Sequence, residues 1–241
     1  MAAKPWEFSI SCDSSELGTA VKLALVCGPW GSGTSVVAGQ LTRIGVLGVG
    51  PYLRTNDPLT PNSYESIPFR EIILRYSDEL TISLKPHMPG AVQSSIRQFR
   101  RWIAREKKRS RDHHDWIFFK YPLAVLFIPE ICEIFKTKLI YVERPLAAIE
   151  QTRRRRHWPP HLGAAGAVLI YQQMSAVRER HNYPIMIVRY EELLEDPLGH
   201  ARGLASLTGL NPTRAELDQA AEFVRKPRPA CGSGNLRRRG A

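Results

Sequence analysis

Apolar and polar positions follow two rhythms along this chain. Val21-Lys22-Leu23-Ala24-Leu25-Val26-Cys27 is an almost unbroken apolar run, the pattern of a strand buried on both faces. Trp116-Ile117-Phe118-Phe119, Lys138-Leu139-Ile140-Tyr141-Val142 and the run 184–188 read the same way. They end at Lys120, at Glu143-Arg144 and at Arg189-Tyr190. Between them apolar residues recur at helical spacing over 35–41, 65–79, 91–108, 123–136, 146–157, 163–181, 191–208 and 213–225. Pro145 and Pro197 suit first-turn positions. Segments 1–20 and 48–63 read as loop, with Pro51, Asn56, Asp57, Pro58, Pro61 and Asn62 as breakers. Alternating strands and helices predict an α/β fold with a parallel β-sheet flanked by helices. One domain is expected over 1–225, with a basic Pro/Gly/Arg-rich tail over 226–241 that is expected to be mobile.

Strand, glycine loop and helix meet at Gly28-Pro29-Trp30-Gly31-Ser32-Gly33-Thr34-Ser35. This is the context of the phosphate loop G-x-x-x-x-G-K-[ST], with Thr34 where a nucleotidase keeps lysine. Backbone N–H groups and a helix N-terminus bind anions without that side chain. A γ-phosphate and its magnesium normally need it. The loop therefore points to a phosphate-bearing donor and away from ATP hydrolysis. Ligands of parallel sheets bind at the carboxyl ends of the strands, which gathers the loop, Lys120, Arg144 and Arg189 at one edge.

The chain has 241 residues and a formal charge of +11. Much of the excess lies in runs: Arg100-Arg101, Lys107-Lys108-Arg109, arginines 153–156 and arginines 237–239. Such a chain can bind a polyanion, but no nucleic-acid signature accompanies the runs and no nucleic acid is expected. Arginines 153–156 span a full helical turn, so only one or two can face a ligand. Cys12, Cys27, Cys132 and Cys231 show no metal spacing, and no metal is expected. Cys27 and Cys132 lie in apolar runs and read as buried thiols of a reducing compartment. No run is long enough for a membrane span, and residues 1–20 are too polar for a signal peptide. A cytoplasmic location is the expectation.

With these residues in hand, the stretch from Lys22 to Pro197 resembles the sulfotransferase family that uses 3′-phosphoadenosine 5′-phosphosulfate (PAPS). Ser32-Gly33-Thr34-Ser35 resembles the family's 5′-phosphosulfate loop. Phe119-Lys120-Tyr121-Pro122 and Tyr141-Val142-Glu143-Arg144-Pro145 resemble its next two blocks, and the segment 189–197 resembles a late block of bacterial members. The resemblance implies a P-loop-like three-layer architecture, PAPS as donor, and 3′-phosphoadenosine 5′-phosphate (PAP) as product. It implies donor binding by Gly28, Trp30, Gly31, Ser32, Gly33, Thr34 and Ser35, and 3′-phosphate binding by Arg144 and by Thr152 eight positions later. The acceptor would be a small or glycan-like molecule offering a hydroxyl or amine.

Two positions depart from the family. Gly31 stands where a basic residue normally helps the leaving group, so Lys120 is the candidate cation. Tyr121-Pro122 stands where cytosolic members keep a catalytic histidine. Glu65, in Asn62-Ser63-Tyr64-Glu65, resembles the glutamate that other branches use as base. His87, in Leu84-Lys85-Pro86-His87-Met88-Pro89, is the second candidate, although it precedes the strand expected to carry it. Plainer readings stay open: a solvated strand-end charge for Lys120, a surface ion pair for Arg144, a carbonyl back-bond for Thr152, and a first-turn acid for Glu65. The rival functions are a P-loop kinase or nucleotidase, and a non-catalytic adenosine-phosphate-binding protein.

Overall fold

The computed structural model describes residues 21–224, apart from 56, 58, 59, 61 and 111–113. Five parallel strands form its sheet. These are β1 (Lys22–Cys27), β2 (Leu47–Gly48), β7 (Trp116–Lys120), β8 (Lys136–Glu143) and β9 (Ile185–Arg189), in the order β2-β7-β1-β8-β9. Two short antiparallel pairs stand outside it: β3 (Tyr52–Arg54) with β4 (Asn62–Ser66), and β5 (Ser77–Asp78) with β6 (Ser83–Leu84).

The apolar runs of β1, β7 and β8 follow from burial on both faces. Leu23, Leu25, Ile117, Phe119, Leu139 and Tyr141 point to one face. There they meet α2 (Ile67–Tyr76), α3 (Ala91–Ser110), α4 (Ile128–Ile134) and α6 (Ala164–Arg180). Phe69 of α2 stacks on Phe119 with ring centroids 4.5 Å apart. Ala24, Val26, Phe118, Ile140 and Val142 point the other way. They meet α1 (Thr34–Arg43), α7 (Tyr190–Glu195), α8 (Pro197–Thr208) and α9 (Arg214–Val224). The last helix to be placed, α5 (Leu146–Arg155), follows β8 directly.

Three expectations are corrected. Segment 48–63 is not all loop, since β3 lies within it and β4 begins in it. The helix expected over 65–79 starts at Ile67, after a strand that carries Glu65. The helix expected over 191–208 is two helices, because Asp196 ends α7 and caps α8 by accepting from the Gly199 N–H at 2.9 Å. Pro197 then supplies the first turn of α8, as expected. The tail 226–241, residues 1–20, Cys12 and Cys231 lie outside the described residues. Cys27 is a buried free thiol and Cys132 a partly buried one. Among the described residues no helix is long and apolar enough to cross a membrane.

Candidate active site

β1 sits between β7 and β8, so the chain departs to opposite sides of it. The loop after β1 therefore lies at the crevice where such sheets hold ligands. Its turns use glycine where side chains fail. Gly28 has φ +148°, and a Cβ there would lie 2.6 Å from the Val142 carbonyl oxygen. Gly33 has φ +102°, and a Cβ there would lie 2.1 Å from the ring of Tyr190. The Gly33 carbonyl accepts from the Val36 and Val37 N–H groups, which starts α1. The N–H groups of its first residues, Thr34 and Ser35, then face the loop without intrahelical partners. Ser32 is buried beside them, and its Oγ has no hydrogen-bond partner among the described residues. A buried hydroxyl left this way costs free energy unless something binds it.

Lys120 closes β7 level with Val26 of β1. It is buried, and its ammonium has three acceptors: Glu65 Oε1 at 2.7 Å, the Ser63 carbonyl at 3.1 Å and Ser35 Oγ at 3.3 Å. The Lys120 and Glu65 side chains are 6% and 7% exposed. Tyr64, between the two β4 acceptors, takes a positive φ of 57°, an uncommon conformation for a bulky residue. The cation and carboxylate thus form a desolvated pair whose third partner, Ser35, belongs to the glycine loop's helix.

Arg144 follows β8 and reaches the loop from the other side. Its Nη1 donates to the Gly31 carbonyl at 2.8 Å and to Thr152 Oγ1 at 3.0 Å. Thr152 Oγ1 also donates back to the Ala148 carbonyl, so its plain reading and its pairing with Arg144 both hold. The Arg144 guanidinium lies 4.6 Å from the centre of the Tyr190 ring and 3.6 Å from Glu191 Oε1. Its ion-pair partner is therefore Glu191. Burial raises the Tyr190 phenol above its ordinary pKa, and Arg144 opposes that. Beside Arg144 opens a cleft of about 360 Å³ walled by Tyr141, Tyr171 and Met174, with Arg178 and Arg189 at its edge.

The fold can be compared with known structures. No protein-family model matches the sequence, and no curated protein does. In structure, the chain matches the sulfotransferase domain of the olefin synthase from Synechococcus PCC 7002 with a TM-score of 0.53 and 17% identity. That match covers 87% of this chain and 81% of that one. The chain has the sulfotransferase fold. The sulfotransferase STF1 from Mycobacterium tuberculosis H37Rv matches at a TM-score of 0.47 and 13% identity, over 85% of this chain and 71% of that one.

Within the sulfotransferase fold, the candidate residues fall into one group and two outliers. Gly28, Gly31, Ser32, Gly33, Thr34, Ser35, Glu65, Lys120, Arg144 and Thr152 converge on the crevice. Trp30 turns away from it: the ring is buried in the core, edge-on to Tyr121 at 6.4 Å, and anchors the loop. His87 is exposed, with Nδ1 2.7 Å from the Lys85 carbonyl oxygen and its ring against Tyr76. Tyr76 is the last residue of α2, whereas Glu65 precedes its first, and a helix of 10 residues is ~15 Å long. His87 is not brought to Lys120. Among the described residues no group of three His, Cys, Asp or Glu is arranged to hold a metal.

Sequence reasoning missed Tyr190, which covers Gly33, and Glu191, which meets Arg144. Their position directly after the β9 strand end was the signal that could have found them. It also missed a brace behind Lys120. There the Tyr121 hydroxyl donates to Glu79 Oε2 at 2.6 Å, and Glu79 pairs with Arg70 at 3.1 Å. No spacing rule relates those three positions.

Proposed function

We propose that this protein transfers a sulfuryl group from PAPS to a hydroxyl or amine of a small or glycan-like acceptor. The observation that carries this reading is the buried Lys120–Glu65 pair, hydrogen-bonded to a phosphate-type loop that lacks its lysine. The site fits such a donor. Loop N–H groups and the unpartnered Ser32 Oγ suit its 5′-phosphate, and Arg144 with Thr152 suits its 3′-phosphate. The cleft beside Arg144 supports room for the nucleoside.

When bound, the donor supplies a sulfuryl group on a phosphate leaving group. The acceptor oxygen forms its bond to sulfur as the bond to the bridging oxygen breaks, and that electron pair stays on the phosphate. Glu65 takes the acceptor's proton. Its neutralisation weakens its hold on Lys120, whose ammonium then faces the charge growing on the leaving oxygen. One ion pair thus couples the base to the electrostatic catalyst. Ser35 Oγ keeps Lys120 beside the loop. Sulfuryl transfer by these groups needs no metal ion.

Calorimetry with PAP and AMP tests the donor. PAP is expected to bind much more tightly than AMP, and Arg144→Ala is expected to abolish the difference. Equal affinity for both nucleotides overturns the assignment. PAP release from PAPS, followed with a panel of phenols and sugars, is expected to survive EDTA. If chelation stops it and magnesium restores it, the kinase or nucleotidase reading replaces this one.

A further inference from the structure

Asp57, in the connection between β3 and β4, is 8% exposed and lies between two arginines at the end of α5. Arg155 Nη1 is 3.1 Å from each carboxylate oxygen, and Arg156 Nε is 2.5 Å from Oδ2. Arg156 also donates to Thr60 Oγ1 and lies 4.5 Å from the centre of the Trp158 ring. Arginines in a last helical turn are favoured by the helix dipole alone. That does not account for a carboxylate from a distant connection buried between them.

These arginines belong to the mouth of the glycine loop. The Arg156 backbone N–H donates to the Thr152 carbonyl at 3.0 Å, and Thr152 itself packs beside Gly31 and accepts from Arg144. Among the described residues the carboxylates that meet Arg144, Arg155 and Arg156 are Asp57 and Glu191. Burial pulls Arg156 below its ordinary pKa, and Asp57 offsets this only in part. Among the described residues one carboxylate is spread over these two guanidinium groups, a single negative charge against two positive ones. A dianion with three oxygens matches both in charge and in bidentate geometry.

We propose that Arg155 and Arg156 form an anion subsite for a phosphomonoester or sulfate group of a bound ligand, and that Asp57 is its exchangeable internal counter-ion. The identity of the ligand rests on the transferase reading; the subsite itself does not. Ligand binding displaces the carboxylate, so Asp57 lowers apparent affinity by holding the subsite in its self-paired form.

Calorimetric titrations of the full chain, Asp57→Asn and Arg155→Gln with PAP, AMP and inorganic phosphate test this, with melting temperatures taken alongside. Arg155 is 44% exposed and Asp57 keeps Arg156 when it is replaced, so Arg155→Gln is expected to fold. Asp57→Asn is expected to tighten binding of the dianion on the order of tenfold. Arg155→Gln is expected to weaken it about as much. A gain with PAP that is absent with AMP identifies the donor's 3′-phosphate as occupant. A gain with inorganic phosphate that persists in saturating PAP assigns the subsite to an anionic group on the acceptor. If Asp57→Asn weakens or leaves unchanged all three ligands, Asp57 is a brace and the proposal fails. Unchanged phosphate and PAP affinities in Arg155→Gln overturn it independently, even if Asp57→Asn unfolds. If the unaltered chain binds neither PAP nor AMP, the transferase reading fails, while the phosphate titrations still decide the subsite.

Discussion

Replacing Lys120 by Met tests the buried pair on which the mechanism turns. Methionine keeps most of the stem and removes the ammonium. Glu65 Oε1, the Ser63 carbonyl and Ser35 Oγ then lose a shared donor, and a carboxylate 7% exposed is left without its cation. Removing one partner of a buried pair typically costs about 3–5 kcal/mol. That is a large share of the ~5–15 kcal/mol by which such domains are stable. Removing both charges behaves differently, because apolar replacement of a whole buried pair is often neutral or stabilising. Urea unfolding should show Lys120→Met destabilised by about 3–5 kcal/mol at unchanged m-value, and Lys120→Met/Glu65→Leu substantially restored. The destabilisation should persist in high salt, since buried charges are poorly screened. Both variants should lose on the order of 10²–10³ or more in PAP release, because stability returns without the electrostatic catalyst. The reasoning is refuted if Lys120→Met costs under about 1 kcal/mol, the range of exposed pairs, or if the double variant is no more stable than the single one.

Gly33→Ala combines a forced positive φ, worth about 1–3 kcal/mol, with a clash against Tyr190. Adding Tyr190→Ala should relieve only the clash, and full recovery in thermal melts would show that the backbone is not strained. Glu65→Gln should cut PAP release by about 10²–10⁴-fold with little change in PAP affinity, whereas His87→Asn, at an exposed site beside Tyr76, should leave turnover unaltered. The opposite ranking would make His87 the base. His200 is held at a pKa of about 4 by burial, and its Nδ1–H donates to Gln40 Oε1 at 2.6 Å, because the Gln40 amide nitrogen is spent on the Pro197 and Ala220 carbonyls. The unfolded chain protonates this group near pH 6.5 and the folded chain only near 4, so stability should fall as pH drops across that window, by up to roughly 3 kcal/mol. Denaturation midpoints for His200→Gln should lose that part of the slope, and an unaltered slope would refute the assignment.

Strands and helices that bury whole faces were legible in the sequence, because burial on both faces of a sheet writes itself as unbroken apolar runs. β1, β7 and β8 followed from that pattern, the edge strand β9 showed an apolar run although it is only partly buried, and the carboxyl-end rule then placed the glycine loop, Lys120 and Arg144 at one edge. Short, half-exposed elements left no such signature. β3 has three residues and β4 begins among polar and breaker residues, so the local pairing of the two carries no apolar run to mark it. The same limit separated Glu65 from His87. Both stood before β7 with comparable motifs, and only the path of α2 carries one to Lys120 and the other away. The strand ends determined which charges gather at the crevice. Which carboxylate neutralises which of them was decided by packing: Glu65 with Lys120, Glu191 with Arg144, and Asp57 with Arg155 and Arg156. A buried charge takes whichever opposite charge the fold delivers within hydrogen-bond reach, and that delivery depends on tertiary path rather than on spacing along the chain.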